Sequence, residues 1–276
     1  MTLSVIISVY QTEKPKYFEE ALKSVWDDQT RKPEQIVLVE DGPLTEGLYN
    51  VVNAWKEKLG DAFCVCQNET NLGLTKSLNI ALDHVTSDLV ARMDSDDRSD
   101  ARRFERQVAF LESHPNVDIV GGALQEFDET HECLNIRQYP QTHEEVKKYI
   151  MKACPLAHPS VMMRMKMFRE GLRYDERYRM SQDIQLWFDA ILKGYRIGNI
   201  PEVVLYFRRE GDVFKRRSRV KAKNEFKIYM NGIYRMHGLW TTAYRYPIAR
   251  YIFRNLPTPI VKWIYGSKLR NQVLKK

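Results

Sequence analysis

No stretch of about 18 consecutive apolar residues occurs in this chain of 276, so no segment is expected to cross a membrane as a helix. No internal repeat and no linker rich in Pro, Gly or Ser divides it, which points to one catalytic-size domain with an appendage. Its N-terminus, Met1-Thr2-Leu3-Ser4-Val5-Ile6-Ile7, lacks the basic residues and cleavage site of a secretion signal; it reads as a first strand, with cytoplasmic residence as the default. Cysteine is scarce. Cys64, Cys66, Cys133 and Cys154 form no metal-ligand pattern, because Cys-x-Cys sets two thiols on one strand face without a second matching pair, and reduced core or strand residues are expected. Acidic residues are missing altogether from Trp240 to Lys276, a segment holding eight Lys and Arg. What is present is a composition of 43% hydrophobic and 29% charged residues, enough for a sizeable core and unlike a disordered chain. The net charge of +7 and its uneven placement call for an anionic partner, a membrane or a nucleic acid.

The first half alternates strand and helix patterns. Leu3 to Val9 is a β-branched apolar run, followed by helical spacing of Phe18, Ala21, Leu22 and Val25 within Tyr17 to Asp27. Strands are then predicted at Ile36 to Val39, Phe63 to Gln67 and residues 89–92, with helices at Thr45 to Leu59 and Leu74 to His84 between them. That cadence implies a largely parallel, doubly wound sheet. Further on, a strand is predicted at Val117 to Phe127, where Gly121-Gly122 marks a bulge or a close approach. A helix at His143 to Ala153, an extended Pro155 to Arg164, a helix at Asp183 to Lys193 and a strand at Glu202 to Phe207 complete the pattern; basic, aromatic helices come after Arg208.

Three carboxylates fall within four positions at Asp94-Ser95-Asp96-Asp97, directly after the apolar run Leu89-Val90-Ala91. A parallel sheet delivers such residues to its carboxyl edge, where open α/β folds bind ligands. Like charges so close together repel and need a cation; in an extended backbone Asp94 and Asp96 point the same way, which suits an oxygen-liganded Mn²⁺ or Mg²⁺. The other reading is a solvated acidic turn, with Ser99 or Asp100 capping a helix over Ala101 to Glu112.

Six segments in order carry a resemblance that no one of them would carry alone. They are Ser4-Val5-Ile6-Ile7-Ser8-Val9-Tyr10, Glu40-Asp41-Gly42, Asn71-Leu72-Gly73-Leu74, Ala91 to Asp97, His158-Pro159-Ser160, and Gln182-Asp183 ahead of Leu186-Trp187. Over residues 3–208 the chain resembles the nucleotide-sugar-dependent glycosyltransferases of family 2, above all those that build bacterial capsule, exopolysaccharide and O-antigen units. The resemblance implies an α/β GT-A (Rossmann-like) fold, three layers α/β/α around a mainly parallel mixed sheet. It places a nucleotide-sugar-binding catalytic domain at residues 1–210, followed by a basic, aromatic helical extension at 211–276.

The same resemblance implies roles. Asp41 would accept from the N3–H of a uracil ring, Val9, Tyr10 and Glu13 would meet base and ribose, and Asn71 and Gly73 would bring backbone close to the nucleotide. Arg92 joins that nucleotide-binding set. Asp96 would ligate Mn²⁺ or Mg²⁺ directly, and Asp94 would touch ribose or complete the metal shell; the ion would offset charge gathering on the departing diphosphate. Asp183 would be the general base of an inverting transfer, although Gln182 stands where relatives carry a second acid, and at a helix start an Asp also merely complements the helix dipole. Glu210 occupies the place of a His found in many relatives; Glu210, Arg216, Arg217 and His158 are the candidates for phosphate or acceptor. The implied reaction moves a hexose from a UDP-sugar to a lipid-linked oligosaccharide. Basic residues interleaved with Tyr246, Tyr251, Phe253, Trp263 and Tyr265 suit an anionic membrane surface at the inner face of the cell membrane; a helical cap on the core is the other reading. A nucleotide-sugar-binding protein with a decayed site stays open, and so, less favoured for want of a motif, does a basic nucleic-acid-binding module.

Overall fold

A computed structural model of the chain describes residues 1–209 and 219–256. Contacts divide the chain into two compact units, Met1–Glu210 and Gly211–Lys276. The first unit opens with β1 (Leu3–Val9), α1 (Pro15–Val25), β2 (Gln35–Glu40), α2 (Glu46–Leu59), β3 (Phe63–Gln67), α3 (Leu74–Asp83) and β4 (Leu89–Met93). After these come β5 (Arg98–Ser99), α4 (Arg103–Ser113), β6 (Ile119–Phe127), β7 (Asn135–Arg137), α5 (His143–Tyr149), β8 (Met162–Arg164), α6 (Lys166–Arg169), α7 (Gln182–Leu192) and β9 (Ile197–Arg208).

The order in the sheet is β3-β2-β1-β4-β8-β6-β9-β5, with β7 paired to β6. The β1, β2, β3 and β4 strands are mutually parallel, so their carboxyl ends share one edge. The near-continuous apolar sequences of β1, β2 and β4 stem from burial on both faces. On one face Val5, Ile7, Ile36 and Leu38 join a core with Phe18 and Leu22 of α1 and Leu48 and Trp55 of α2; α3 packs against β1 and β2. Chain order reverses between β1 and β4, the kind of switch point where such sheets open a crevice.

Where local expectations differ from the fold, the causes are specific. The fourth helix starts at Arg103 rather than Ala101: Ser99 pairs in β5 with Leu205, and Asp100 uses its carboxylate on the Arg102 N–H (3.0 Å) ahead of the helix. Within Pro155 to Arg164, a 3₁₀ turn at His158–Ser160 interrupts the extended run, and only Met162–Arg164 is strand, antiparallel to β4 and β6. The helix at His143 stops at Tyr149, and β9 begins at Ile197, well before Glu202. At Gly121-Gly122 both anticipated features occur. A Cβ on Gly121 would collide with Asn199 Oδ1, and the β6–β9 register shifts just after Gly122.

In the second unit, α8 (Arg219–His237) and α9 (Arg245–Asn255) pack through the tilted rings of Phe226 and Tyr251 (centroids 4.8 Å apart) and an Arg254–Glu225 ion pair (2.8 Å). Between them Leu239 and Trp240 stand 70% and 97% exposed, so apolar surface is left on a basic segment.

Candidate active site

Three loops converge at the carboxyl edge. The first comes after β1, where the Val9 carbonyl accepts the Asp41 N–H (2.8 Å), Tyr10 is exposed, and Glu13 lies half-buried. The Ser95 hydroxyl donates to Glu13 Oε2 (2.6 Å), which draws this loop against the acidic turn after β4.

The second loop comes after β2. Asp41 is buried, and both of its oxygens are engaged: Oδ1 accepts from Leu72 N (2.8 Å) and Asn68 Nδ2 (3.1 Å), Oδ2 from Gly73 N (2.9 Å). The Asn71 amide donates to the Asp41 carbonyl (3.3 Å). Asp41 therefore holds the Asn71-Leu72-Gly73 loop in place, a task that the sequence did not disclose. Gly42 must be glycine here: its φ is +89° and a Cβ would sit 2.8 Å from Asn71 N. Gly73, also at φ +89°, begins the turn into α3.

The third loop is the acidic turn. The β4 strand ends at Met93, so strand alternation does not align Asp94 and Asp96; instead a turn gathers Asp94, Asp96 and Asp97, with one oxygen of each within 4.8 Å of the others. Arg92 forms a two-pronged ion pair with Asp94. Burial opposes the charge on that guanidinium, and the Asp94 carboxylate overcomes the opposition. Beneath, fully buried Arg103 donates to the Arg92 carbonyl (2.9 Å) and the Val161 carbonyl (3.2 Å), and its Nε donates to Gln107 (3.1 Å). Arg208 reaches in from β9: its N–H donates to Asp97 Oδ1 (2.8 Å), its Nε to the Asp96 carbonyl (2.8 Å), and a terminal nitrogen to Glu20 (2.5 Å).

These cations do not satisfy the turn. Burial, then the charges of Asp94 and Glu13, push Asp96 up to about 6. Burial, then Asp94 and Asp96, raise Asp97 well above the usual carboxylate range, and its Oδ2 is buried without a hydrogen-bond partner. An oxygen-only donor set with an orphaned, buried acceptor fits a hard divalent cation of the Mn²⁺ or Mg²⁺ kind. The acidic residues thus form a cluster where a solvated turn would have spread them.

Asp183 lies in the first turn of α7. Ser181 before it adopts a left-handed conformation (φ 64°, ψ 22°), unusual for a non-glycine residue. The Cys154 thiol donates to Asp183 Oδ2 (3.6 Å); burial and the Asp183 charge raise that thiol well above its ordinary value, so it remains a donor. Tyr174 is buried, its ionisation pushed beyond the ordinary range by burial and opposed by Arg92. His158 bonds the Tyr174 hydroxyl through Nε2 (2.8 Å) and meets the ring of Trp187 edge-on. Burial, then the Arg92 charge, depress His158 far below its usual value, so its ring is neutral and stands as part of the wall behind Arg92. Glu210, Arg216 and Arg217 lie outside the described residues. Arg103, Tyr174 and Cys154 escaped the sequence reading, because no spacing links them to the loops they support.

Comparison with known proteins gives the family and the fold. The profile described as Glycosyl transferase family 2 matches residues 4–172. The amylovoran biosynthesis glycosyltransferase AmsE of Erwinia amylovora is 33% identical over 263 residues, 95% of this chain and 97% of its own. A UDP-Gal:alpha-D-GlcNAc-diphosphoundecaprenol beta-1,3-galactosyltransferase of Escherichia coli is 29% identical, covering 97% of this chain and 96% of its own. Among solved structures, S. aureus TarS 1-349 with UDP-GlcNAc superposes with a TM-score of 0.65 at 21% identity, over 99% of this chain and 78% of that one. A Pyrobaculum calidifontis mannosyltransferase with GDP-Man and Mn²⁺ gives 0.64 at 16%, over 99% and 75%. The architecture is that of the GT-A fold.

Proposed function

The chain belongs to glycosyl transferase family 2, and from that premise we propose that it is an inverting, metal-dependent hexosyltransferase using a UDP-sugar and a lipid-linked oligosaccharide in bacterial surface polysaccharide synthesis. The observation that carries the reading is the half-buried, under-neutralised Asp94-Asp96-Asp97 cluster at the sheet edge beside the loop held by Asp41. Relatives named for amylovoran synthesis and for a diphosphoundecaprenol acceptor support the substrate class.

Asp96 and Asp94 would hold Mn²⁺ or Mg²⁺, which when bound offsets negative charge developing on the diphosphate leaving group. The protein's own contributions are positional and acid–base. Arg92 fixes Asp94, Arg103 fixes the strand end beneath it, and Tyr10, Glu13 and the Asn71-Leu72-Gly73 loop frame the nucleoside. Asp183 takes the acceptor hydroxyl proton as that oxygen attacks the anomeric carbon and the carbon–oxygen bond to diphosphate breaks.

A thermal-shift panel of UDP, GDP and CDP with and without Mn²⁺ tests the donor. UDP with Mn²⁺ at about 100 times its Kd should add about 2.7 kcal/mol of apparent stability, a rise of roughly 5 °C or more in Tm, with smaller shifts for the other nucleotides. A larger shift with GDP or CDP would overturn the donor assignment.

Among the described residues no helix is long and apolar enough to cross a membrane. We place the chain at the membrane surface instead, because Leu239 and Trp240 are exposed within a basic segment. Trp240→Ala should weaken binding to vesicles rich in anionic lipid about 10-fold while UDP affinity holds. Equal vesicle binding by both proteins would sink the surface anchor.

A further inference from the structure

A second constellation of ligand atoms lies at the other border of the same sheet. Among the described residues the β3 strand is an edge strand, paired on one side only, with β2. Its alternation sends Phe63 into the core shared with α1 and α2, and Val65 packs against that core; Cys64 and Cys66 therefore project from the opposite face, opposite Val37 and Val39 of β2. The α3 helix packs on β2 and ends at Asp83. The next residue, His84, caps it in a helical conformation, with its N–H bonded to the Ala81 and Leu82 carbonyls. Its own carbonyl accepts from Gln35 Nε2 (3.1 Å) at the start of β2. Backbone and neighbours thus hold an exposed imidazole beside two half-buried free thiols, and one ligand atom from each of the three falls within 4.8 Å of the others.

We propose that Cys64, Cys66 and His84 form a binding site for one thiophilic divalent cation of the zinc type, separate from the carboxylate cluster. Two sulfurs and an imidazole nitrogen are the donors that borderline-soft cations select, whereas the oxygen-only turn at Asp94, Asp96 and Asp97 selects hard ones. Tetrahedral bonds of about 2.3 Å to sulfur and about 2.0 Å to nitrogen bring ligand atoms to roughly 3.5 Å of one another, a spacing that the 4.8 Å span of these atoms approaches. Three protein ligands leave a fourth position, which water fills at an exposed site. The bound ion would clip the free edge of the sheet to the C-terminal end of α3. At its other end that helix begins at Gly73, whose N–H donates to Asp41. Occupancy therefore fastens the element that carries the nucleotide loop without entering the catalytic crevice.

Titration of the untagged full-length chain with Co²⁺ under a non-thiol reductant tests the site. A thiolate-to-cobalt charge-transfer absorption should grow to one equivalent per chain, disappear when Zn²⁺ is added, and be unaffected by excess Mg²⁺. Because loss of even an outer partner of a metal ligand weakens binding about 10- to 100-fold, Cys64→Ser and His84→Ala should each lower Co²⁺ affinity by about 100-fold or more. Cys133→Ser should leave the absorption intact. Retained UDP affinity in the variants, within about 2-fold, would show that they are folded, and keeps this outcome independent of the carboxylate site. Absence of the absorption at stoichiometric Co²⁺, or its persistence at unchanged affinity in Cys64→Ser or His84→Ala, would overturn the proposal.

Discussion

Asp96→Ala is expected to abolish the Mn²⁺-dependent part of UDP affinity and to lower sugar transfer by about 10³-fold or more. The reason lies in where charge is uncompensated. Asp94 is already paired with Arg92, and one Asp97 oxygen is taken by the Arg208 N–H, so Asp96 is the member of the cluster with most to give a cation. Neutralising developing charge on a leaving group by one well-placed partner is worth several kcal/mol, which sets the size of the loss. Calorimetric UDP titrations with Mn²⁺ and with chelator measure it directly; an undiminished Mn²⁺ effect in the variant would remove Asp96 from the metal site. A pH signature accompanies the claim. In the metal-free folded chain Asp96 sits at about 6, above its value near 3.9 in the unfolded chain, so the folded state holds the extra proton. Stability from this group is greatest below about pH 4, declines as pH rises to about 6, and stays reduced above. Mn²⁺ affinity should rise over the upper part of that interval, as the cation displaces the proton. Asp96→Asn should reduce the slope, leaving the part that raised Asp97 contributes, and, in chelator at pH 7, stabilise the chain by about 2 kcal/mol in denaturant unfolding.

Much of this was written locally. The parallel strands could be read because burial on both faces demands unbroken β-branched runs such as Val5-Ile6-Ile7 and Ile36-Val37-Leu38-Val39, and a parallel sheet then sends the residues after each strand to one edge. Asp41 and the acidic turn were legible for that reason. Their partners were not. Nothing in the spacing of Arg103 says that its guanidinium fills the space under the Arg92 carbonyl, since both ends of that contact depend on how α4 returns across the sheet. The β8 strand, only Met162–Arg164, is too short for a period to show, and its antiparallel insertion between β4 and β6 is decided by those neighbours. Ser181 gives no sign of its left-handed backbone, a conformation that sequence suggests only for Gly or Asn. The Cys-x-Cys pair looked incomplete because its third ligand comes from the end of a helix 18 residues on from Cys66, brought alongside by α3 packing.

Asp183→Asn should leave UDP binding within about 2-fold while turnover falls by about 10² to 10⁴-fold, the range that a positioned general base contributes. The substitution keeps the volume and planarity of the side chain and removes only its capacity to take a proton. Several features set this carboxylate apart from a residue that merely opens a helix. It is held at a defined angle by a backbone turn in which Ser181 is left-handed, a conformation that costs about 1 to 2 kcal/mol and persists where its surroundings fix it. A half-buried thiol donates to one of its oxygens, and that thiol is kept protonated by desolvation and by the Asp183 charge itself. Charge on Asp183 also raises Tyr174, whose ionisation responds to Arg92 and Asp94 as well, so one buried phenol feels both this carboxylate and the acidic turn. Steady-state kinetics separate the readings: a base lost alone lowers kcat with little change in donor KM, and the acid limb of the pH profile disappears with it. If UDP affinity collapses in step with turnover, Asp183 holds the donor or the fold, and the proton must leave the acceptor by another route.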